Sequence, residues 1–130
     1  DDTENAGFTT GKPWLKVAEN ANEINVQQAL QTKTSIFYFY QKLIALRKDY
    51  PVIQNGDYTP ALTDEDSIIA YTRSLEDSKL LSIHNFASEK QILTLPSGFS
   101  NAKILLSNYQ REELNSTIEL SPYETLTLLQ

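Results

Sequence analysis

"SIIAYTRSLEDSKLLSIHNF", residues 67–86, carries two runs of β-branched and aromatic side chains, Ser67–Leu75 and Lys79–Phe86, separated by the turn-formers Glu76, Asp77 and Ser78. Side chains of a strand alternate between two faces, so the second run places Leu81, Ile83 and Asn85 on one side and Leu80, Ser82, His84 and Phe86 on the other. Period 2 on both sides of a short turn reads as antiparallel strands. The same signature recurs outward in "GDYTPAL" (56–62), "QILTLP" (91–96), "AKILLSN" (102–108), "STIEL" (116–120) and "ETLTLLQ" (124–130). Seven short strands at a spacing of roughly 8 to 12 residues predict a mainly β fold, a small antiparallel β-sandwich. Pro60 has no N–H to give to a ladder, which demotes the first strand to an edge.

Upstream the period changes. In "SIFYFYQKLIALRKDYP" (35–51) Ile36, Phe39, Tyr40, Leu43, Ile44 and Arg47 follow helical spacing, and Phe37 and Leu46 widen the stripe. Gln41, Lys42, Ala45 and Lys48 form the wetter face, and Pro51 cannot continue the helix. Thr34 or Ser35 is positioned to cap it, as Asn25 is for a short helix over "VQQALQ". Residues 1–24 hold Gly7, Gly11, Pro13 and several Asn without a sustained period, an irregular stretch whose Phe8, Trp14 and Leu15 imply packing on something. The fold class is therefore a small β-sandwich preceded by an irregular segment and one amphipathic α-helix. One helix with so broad an apolar face raises the question of what covers it.

Composition narrows the function classes. Seventeen acidic and eleven basic side chains leave a net charge of −6 with Lys and Arg dispersed. That is the wrong footprint for nucleic-acid phosphates or an anionic membrane surface. The chain has no Cys and one His, so no disulfide, thiolate site, metal site or cofactor is expected. No apolar run approaches the ~18 residues of a membrane span, and "DDTENAGF" lacks the basic start and apolar centre of a signal peptide. These features fit a cytoplasmic protein. A chain that opens on Asp1 and Asp2 in what reads as mid-loop is expected to be processed or excised from something longer.

No catalytic constellation emerges from the residues alone. Asp1, Asp2 and Glu4 form an acidic cluster, but nothing nearby raises a carboxyl pKa by burial, and we read them as solvated. His84 sits in a strand without a second His or a Ser or Cys partner, and we read it as structural. Tyr58, Tyr71, Tyr109 and Tyr123 would stack on sugar rings if they shared one sheet face; Tyr in a sandwich more often buries its ring and leaves the hydroxyl wet. Asn115-Ser116-Thr117 matches a glycosylation pattern, read as coincidence in a chain without a secretory signal.

Four blocks matter together: "NAGFTTGKPWLKV" (5–17), "INV" (24–26), "SIFYFYQKLIALRKDYPVIQNGDY" (35–58) and "LSPYETLTLL" (120–129). In this order and at these spacings the chain resembles the C-terminal end of bacterial α-glucosidases of glycoside hydrolase family 13, in the group containing oligo-1,6-glucosidase, dextran glucosidase and trehalose-6-phosphate hydrolase. The resemblance implies two domains, with residues 1–50 a remnant of a (β/α)8 barrel and residues 51–130 the C-terminal β-sandwich. It also implies retaining hydrolysis by a pair of carboxyls about 5–5.5 Å apart. The motifs that carry them, an Asp-Gly-Phe-Arg-type segment, a later Glu and an Asn-His-Asp, are not in this chain. No residue is therefore assigned as catalytic, and the 130-residue chain alone is expected to be inactive. Asp1, Asp2, Asn5 and Phe8 become candidates for the substrate rim of the intact enzyme, where barrel loops build the site. An oligosaccharide substrate is expected only in that intact form. The bare helix 35–49 would self-associate or fold back on the sandwich, because ~400 Å² of apolar surface is worth ~10 kcal/mol gross at about 25 cal/mol per Å². Alternatives are a non-catalytic carbohydrate-binding sandwich and a protein-interaction module.

Overall fold

A computed structural model describes residues 1–62 and 64–130. The chain forms two compact units, Asp1–Ala45 and Leu46–Gln130.

In the first unit an irregular segment leads to α1 (Val26–Gln31) and into α2 (Ile36–Asp49), which ends in the second unit. Asn25 caps α1 as expected, its Oδ1 accepting from the Gln28 N–H at 3.0 Å. Ser35 behaves differently from a cap, donating its hydroxyl to the Ala29 carbonyl at 2.7 Å. The apolar stripe on α2 is bare: Ile36 is 76% exposed, Tyr40 60% and Ile44 55%, and no residue of the helix is buried. Among the described residues no helix is long and apolar enough to cross a membrane.

The second unit begins with a departure from the sequence reading. Between α2 and the first strand lies a short helix, α3 (Pro51–Asn55), that the sequence reading does not expect. Pro51 ends α2 and opens α3 for one reason, since a missing N–H and a φ near −65° suit the first turn of a helix and no later position. Arg73 ties α3 down. Its Nε donates to Val52 O at 3.2 Å and its Nη2 to Gly56 O at 2.7 Å, satisfying carbonyls at the helix C-terminus. Gly56 is needed for this close approach: a Cβ there would lie 2.6 Å from Val52 O and 3.1 Å from Ser74 N.

The strands are β1 (Asp57–Ala61), β2 (Ile68–Leu75), β3 (Ser78–Asn85), β4 (Gln91–Thr94), β5 (Lys103–Ser107), β6 (Thr117–Leu120) and β7 (Thr125–Leu129). All pairs are antiparallel, in a five-stranded sheet ordered β1-β2-β3-β7-β5 and a two-stranded sheet β4-β6. The expected sandwich is present. Pro60 lies on the edge strand β1, opposite Tyr71. The β2–β3 turn is one residue tighter than the sequence suggested, because Ser78 pairs with Leu75 and leaves Glu76, at φ 51°, and Asp77 to turn the chain.

Alternation gives the large sheet two different faces. On one, Ala70, Ile83 and Leu126 line up across three strands, with Leu81 beside Leu128, and pack on Leu93, Leu95, Ile118 and Leu120 from the small sheet and on Phe99. On the other, Leu80 and Leu105 are covered by Val52 of α3 with Leu46, Tyr50 and Ile53 around them. The central strand β3 is thus buried on both sides, which explains its near-continuous apolar run.

Candidate functional site

Three of the four rim candidates come together in the first unit. Residues Asn5, Ala6 and Gly7 are consecutive left-handed residues, with φ of 55°, 54° and 74°. Asn tolerates this region better than most side chains because its short polar group bonds locally, whereas Ala6 has no such recourse. The Asn5 carboxamide donates to Thr9 O at 3.1 Å and to Gly11 O at 3.2 Å, closing the loop over residues 5–11. The Asp1 carboxylate accepts from the Thr3 N–H at 3.0 Å and the Thr3 hydroxyl at 2.6 Å. Beside this turn lies a concavity of about 720 Å³ lined by Asp1, Phe8, Thr9, Lys12 and Trp14 among others. Phe8 is 87% exposed and Trp14 91%. Asn5 stands behind the lining as the tie of the loop. Asp2 and Glu4 are exposed and do not line it. Trp14 lines the concavity but is not among the rim candidates read from the sequence; its signal there is an aromatic in a segment with no period to bury it.

A second cluster occupies the α3 side of the large sheet. Register puts Tyr58 (β1, opposite Arg73), Tyr71 (β2) and His84 (β3, opposite Ile69) on one face as diagonal neighbours, with Phe86 following β3. Ring centroids are 5.3 Å apart for Tyr58 and Tyr71, 6.1 Å for Tyr71 and His84, and 6.4 Å for His84 and Phe86. Of the four tyrosines considered for sugar stacking, two therefore share a face. Tyr109 and Tyr123 do not join them; the Tyr109 hydroxyl donates to Pro122 O at 2.8 Å, and Tyr123 sits in a left-handed turn at φ 56°.

His84 corrects the sequence reading that no Ser partners it. Ser82 Oγ lies 3.0 Å from His84 Nε2, Thr125 Oγ1 3.2 Å from Nδ1, and Thr127 Oγ1 3.3 Å from Ser82 Oγ. Residues i and i+2 of a strand share a face, so the pair was legible in "SIH". It is not a nucleophile and base, because Ser82 is buried and, among the described residues, the ring's hydrogen-bond partners are Ser82 and Thr125 with no carboxylate; the cluster laces β3 to β7. Burial lowers the His84 pKa below its ordinary 6.5. The neutral ring is favoured in the folded state, so the unfolded chain takes up its proton first as pH falls. The stability that this group contributes is complete above about pH 6.5 and is lost as pH drops through the lower folded value. Urea unfolding at a series of pH values is expected to show this loss, and His84→Gln is expected to flatten it.

Residues 1–56 match the family model described as "Alpha amylase, catalytic domain", and residues 68–126 match "Alpha-amylase SusG C-terminal domain". Oligo-1,6-glucosidase of Bacillus cereus is 47% identical over 97% of this chain and 23% of its own length. Trehalose-6-phosphate hydrolase of Bacillus subtilis strain 168 is 42% identical over 97% of this chain and 23% of its own. The crystal structure of Bacillus licheniformis trehalose-6-phosphate hydrolase superposes with a TM-score of 0.87 at 39% identity, covering 99% of this chain and 24% of that one. The chain thus spans about a quarter of the length of the relatives it matches. Two consecutive domain models, relatives above 40% identity along nearly every residue and a matching fold lead to one conclusion: along nearly its whole length the chain is similar to a part of enzymes of the α-amylase family, glycoside hydrolase family 13.

Proposed function

We propose that this chain is the C-terminal part of an α-glucosidase that hydrolyses α-glucosidic bonds of short oligosaccharides with retention of configuration. The carrying observation is 47% identity to an oligo-1,6-glucosidase along 97% of the chain but only 23% of that enzyme. On this reading residues 1–50 complete a barrel and residues 51–130 are the C-terminal sandwich. The two carboxyls of a retaining site, about 5–5.5 Å apart, come from the rest of the enzyme. Asp1, Asp2, Asn5 and Phe8 belong to the rim, and the oligosaccharide is a partner of the whole enzyme in the cytoplasm. The bare face of α2, with Ile36, Phe37, Tyr40 and Ile44, seats on the barrel.

The 130-residue chain is expected to release no glucose from isomaltose or trehalose 6-phosphate and to self-associate through α2 in sedimentation runs as concentration rises. Turnover by the chain alone would overturn the assignment of its chemistry to other residues, and a monomer at every concentration would remove the self-association. Joined to its barrel, the chain is expected to give hydrolysis with a retained anomer by NMR; an inverted product or none would refute the α-glucosidase reading.

The ring series Tyr58–Tyr71–His84–Phe86 favours a second reading, a sandwich that binds glucan without cleaving it. Calorimetric titration of the chain with maltose and isomalto-oligosaccharides decides: millimolar or tighter binding lost in Tyr71→Ala supports it, and no heat excludes it.

A further inference from the structure

The most strained backbone in the first unit is the run Asn5-Ala6-Gly7, three left-handed residues in succession, two of which carry a Cβ. Such strain persists only where the surroundings over-determine it, and it concentrates where a chain must hold one geometry. The Asn5 side chain and a set of local bonds hold it: the Asp1 ammonium donates to Ala6 O at 3.2 Å and the Ala6 N–H to Thr3 O at 2.9 Å. The Asn5 carboxamide spans Thr9 O and Gly11 O, the Phe8 N–H returns to Asn5 O at 3.1 Å, and the Thr9 hydroxyl accepts from the Gly11 N–H at 3.1 Å. Gly7, at φ 74°, holds a conformation in which any side chain is strained, and a Cβ there would lie 2.5 Å from the Asp1 carboxylate and push it aside.

The product of this bracing is the placement of Phe8. It follows the strained run directly, is 87% exposed, and lines the same concavity as Asp1 and Trp14. An aromatic ring on a braced loop has little freedom to lose when a ligand arrives, so its contact is converted to affinity with little ordering cost. Two charged residues, Asp1 and Lys12, also line the concavity, and aromatic with polar lining is the mixture that a pyranose presents in reverse: an apolar C–H face and a belt of hydroxyls.

We propose that Phe8 is a specificity residue that contacts a pyranose ring of the substrate on its apolar face, and that Asn5 is the positioning residue that aims it. This rests on the α-glucosidase rim reading and adds what two of its residues do. Asn5 then touches no substrate, and its whole effect is transmitted through Phe8.

That relation is testable by a double-mutant cycle in the enzyme that joins this chain to its barrel, with isomaltotriose as the probe. Phe8→Ala is expected to raise KM ~10-fold with kcat nearly unchanged, the signature of a lost binding contact. Asn5→Ala is expected to raise KM in the same sense. The double variant should be no worse than Phe8→Ala alone, because once the ring is gone its aim no longer matters. Phe8 is so exposed in its unit that Phe8→Ala tests the contact even if Asn5→Ala folds poorly, and Asn5→Gly, which keeps the left-handed turn but removes the carboxamide, replaces Asn5→Ala in that case. Unchanged KM in Phe8→Ala, or independent additive losses in the cycle, would overturn the proposal while leaving the α-glucosidase reading intact. An unmodified enzyme with no action on isomaltotriose or any α-glucoside would instead strike the reading beneath it, and this inference with it.

Discussion

Replacing Arg111 with Ala is expected to destabilise the sandwich by about 3 kcal/mol, the lower end of what removing one partner of a buried ion pair costs. Glu124 is 1% exposed and has three donors: Arg111 Nε at 2.8 Å, Arg111 Nη2 at 3.1 Å and the Ser121 N–H at 2.8 Å. Without the guanidinium the carboxylate keeps only the Ser121 bond, and Glu119 O loses the 2.6 Å bond from Arg111 Nη2. The penalty comes from an orphaned charge and not from the loss of a favourable pair, because taking both ions out of water already cost most of their attraction. The double change Arg111→Met with Glu124→Leu is therefore expected to recover most of the loss. Urea unfolding followed by far-UV circular dichroism checks both, and a double variant as unstable as Arg111→Ala would show that the clamp itself holds the loop between β5 and β6.

Phe99→Ala is expected to cost about 3–5 kcal/mol, the range for emptying an aromatic site in a core. The ring is fully buried although Phe99 belongs to no strand. Its N–H bonds to Pro96 O at 3.2 Å and its carbonyl accepts from the Ala102 N–H at 3.2 Å, so the turn 96–102 is pinned with the ring inserted among Leu93, Leu95, Ile118 and Leu120. Collapse around the void would require the two sheets to close on each other, which their ladders resist. Phe99→Leu, which keeps most of the volume, is expected to lose only about 1 kcal/mol. For a sandwich of this size a 3–5 kcal/mol loss is a large part of the total, at roughly 0.05–0.15 kcal/mol per residue. Thermal scans and urea titrations of the two variants would separate these values easily.

Neither residue stood out in the sequence. Phe99 follows "PSG" in what reads as a turn, and Arg111 and Glu124 are far apart in the chain. The candidate site was partly legible. Asn5 and Phe8 were marked because they lie in a block shared with a family, and the structure gives them separate parts, Asn5 bracing the loop and Phe8 lining the concavity with Asp1. Asp2, a rim candidate only because barrel loops build such sites, stays outside the lining. Trp14 joins the lining from six residues beyond Phe8, a proximity that a segment without periodicity conceals.

By itself the sequence determined the strands, the division of β3 into two faces, the edge position of Pro60, the Asn25 cap and the length of α2, because each follows from contacts within a few residues and from the 2.0 or 3.6 period of the backbone. Tertiary structure alone decided that β7 inserts between β3 and β5, that Arg111 finds Glu124, that Tyr58, Tyr71 and His84 form one row, and that Phe99 leaves its turn for the core. Those outcomes depend on pairings between distant residues, where the free energy of burial selects one register among many that local propensity would allow equally well.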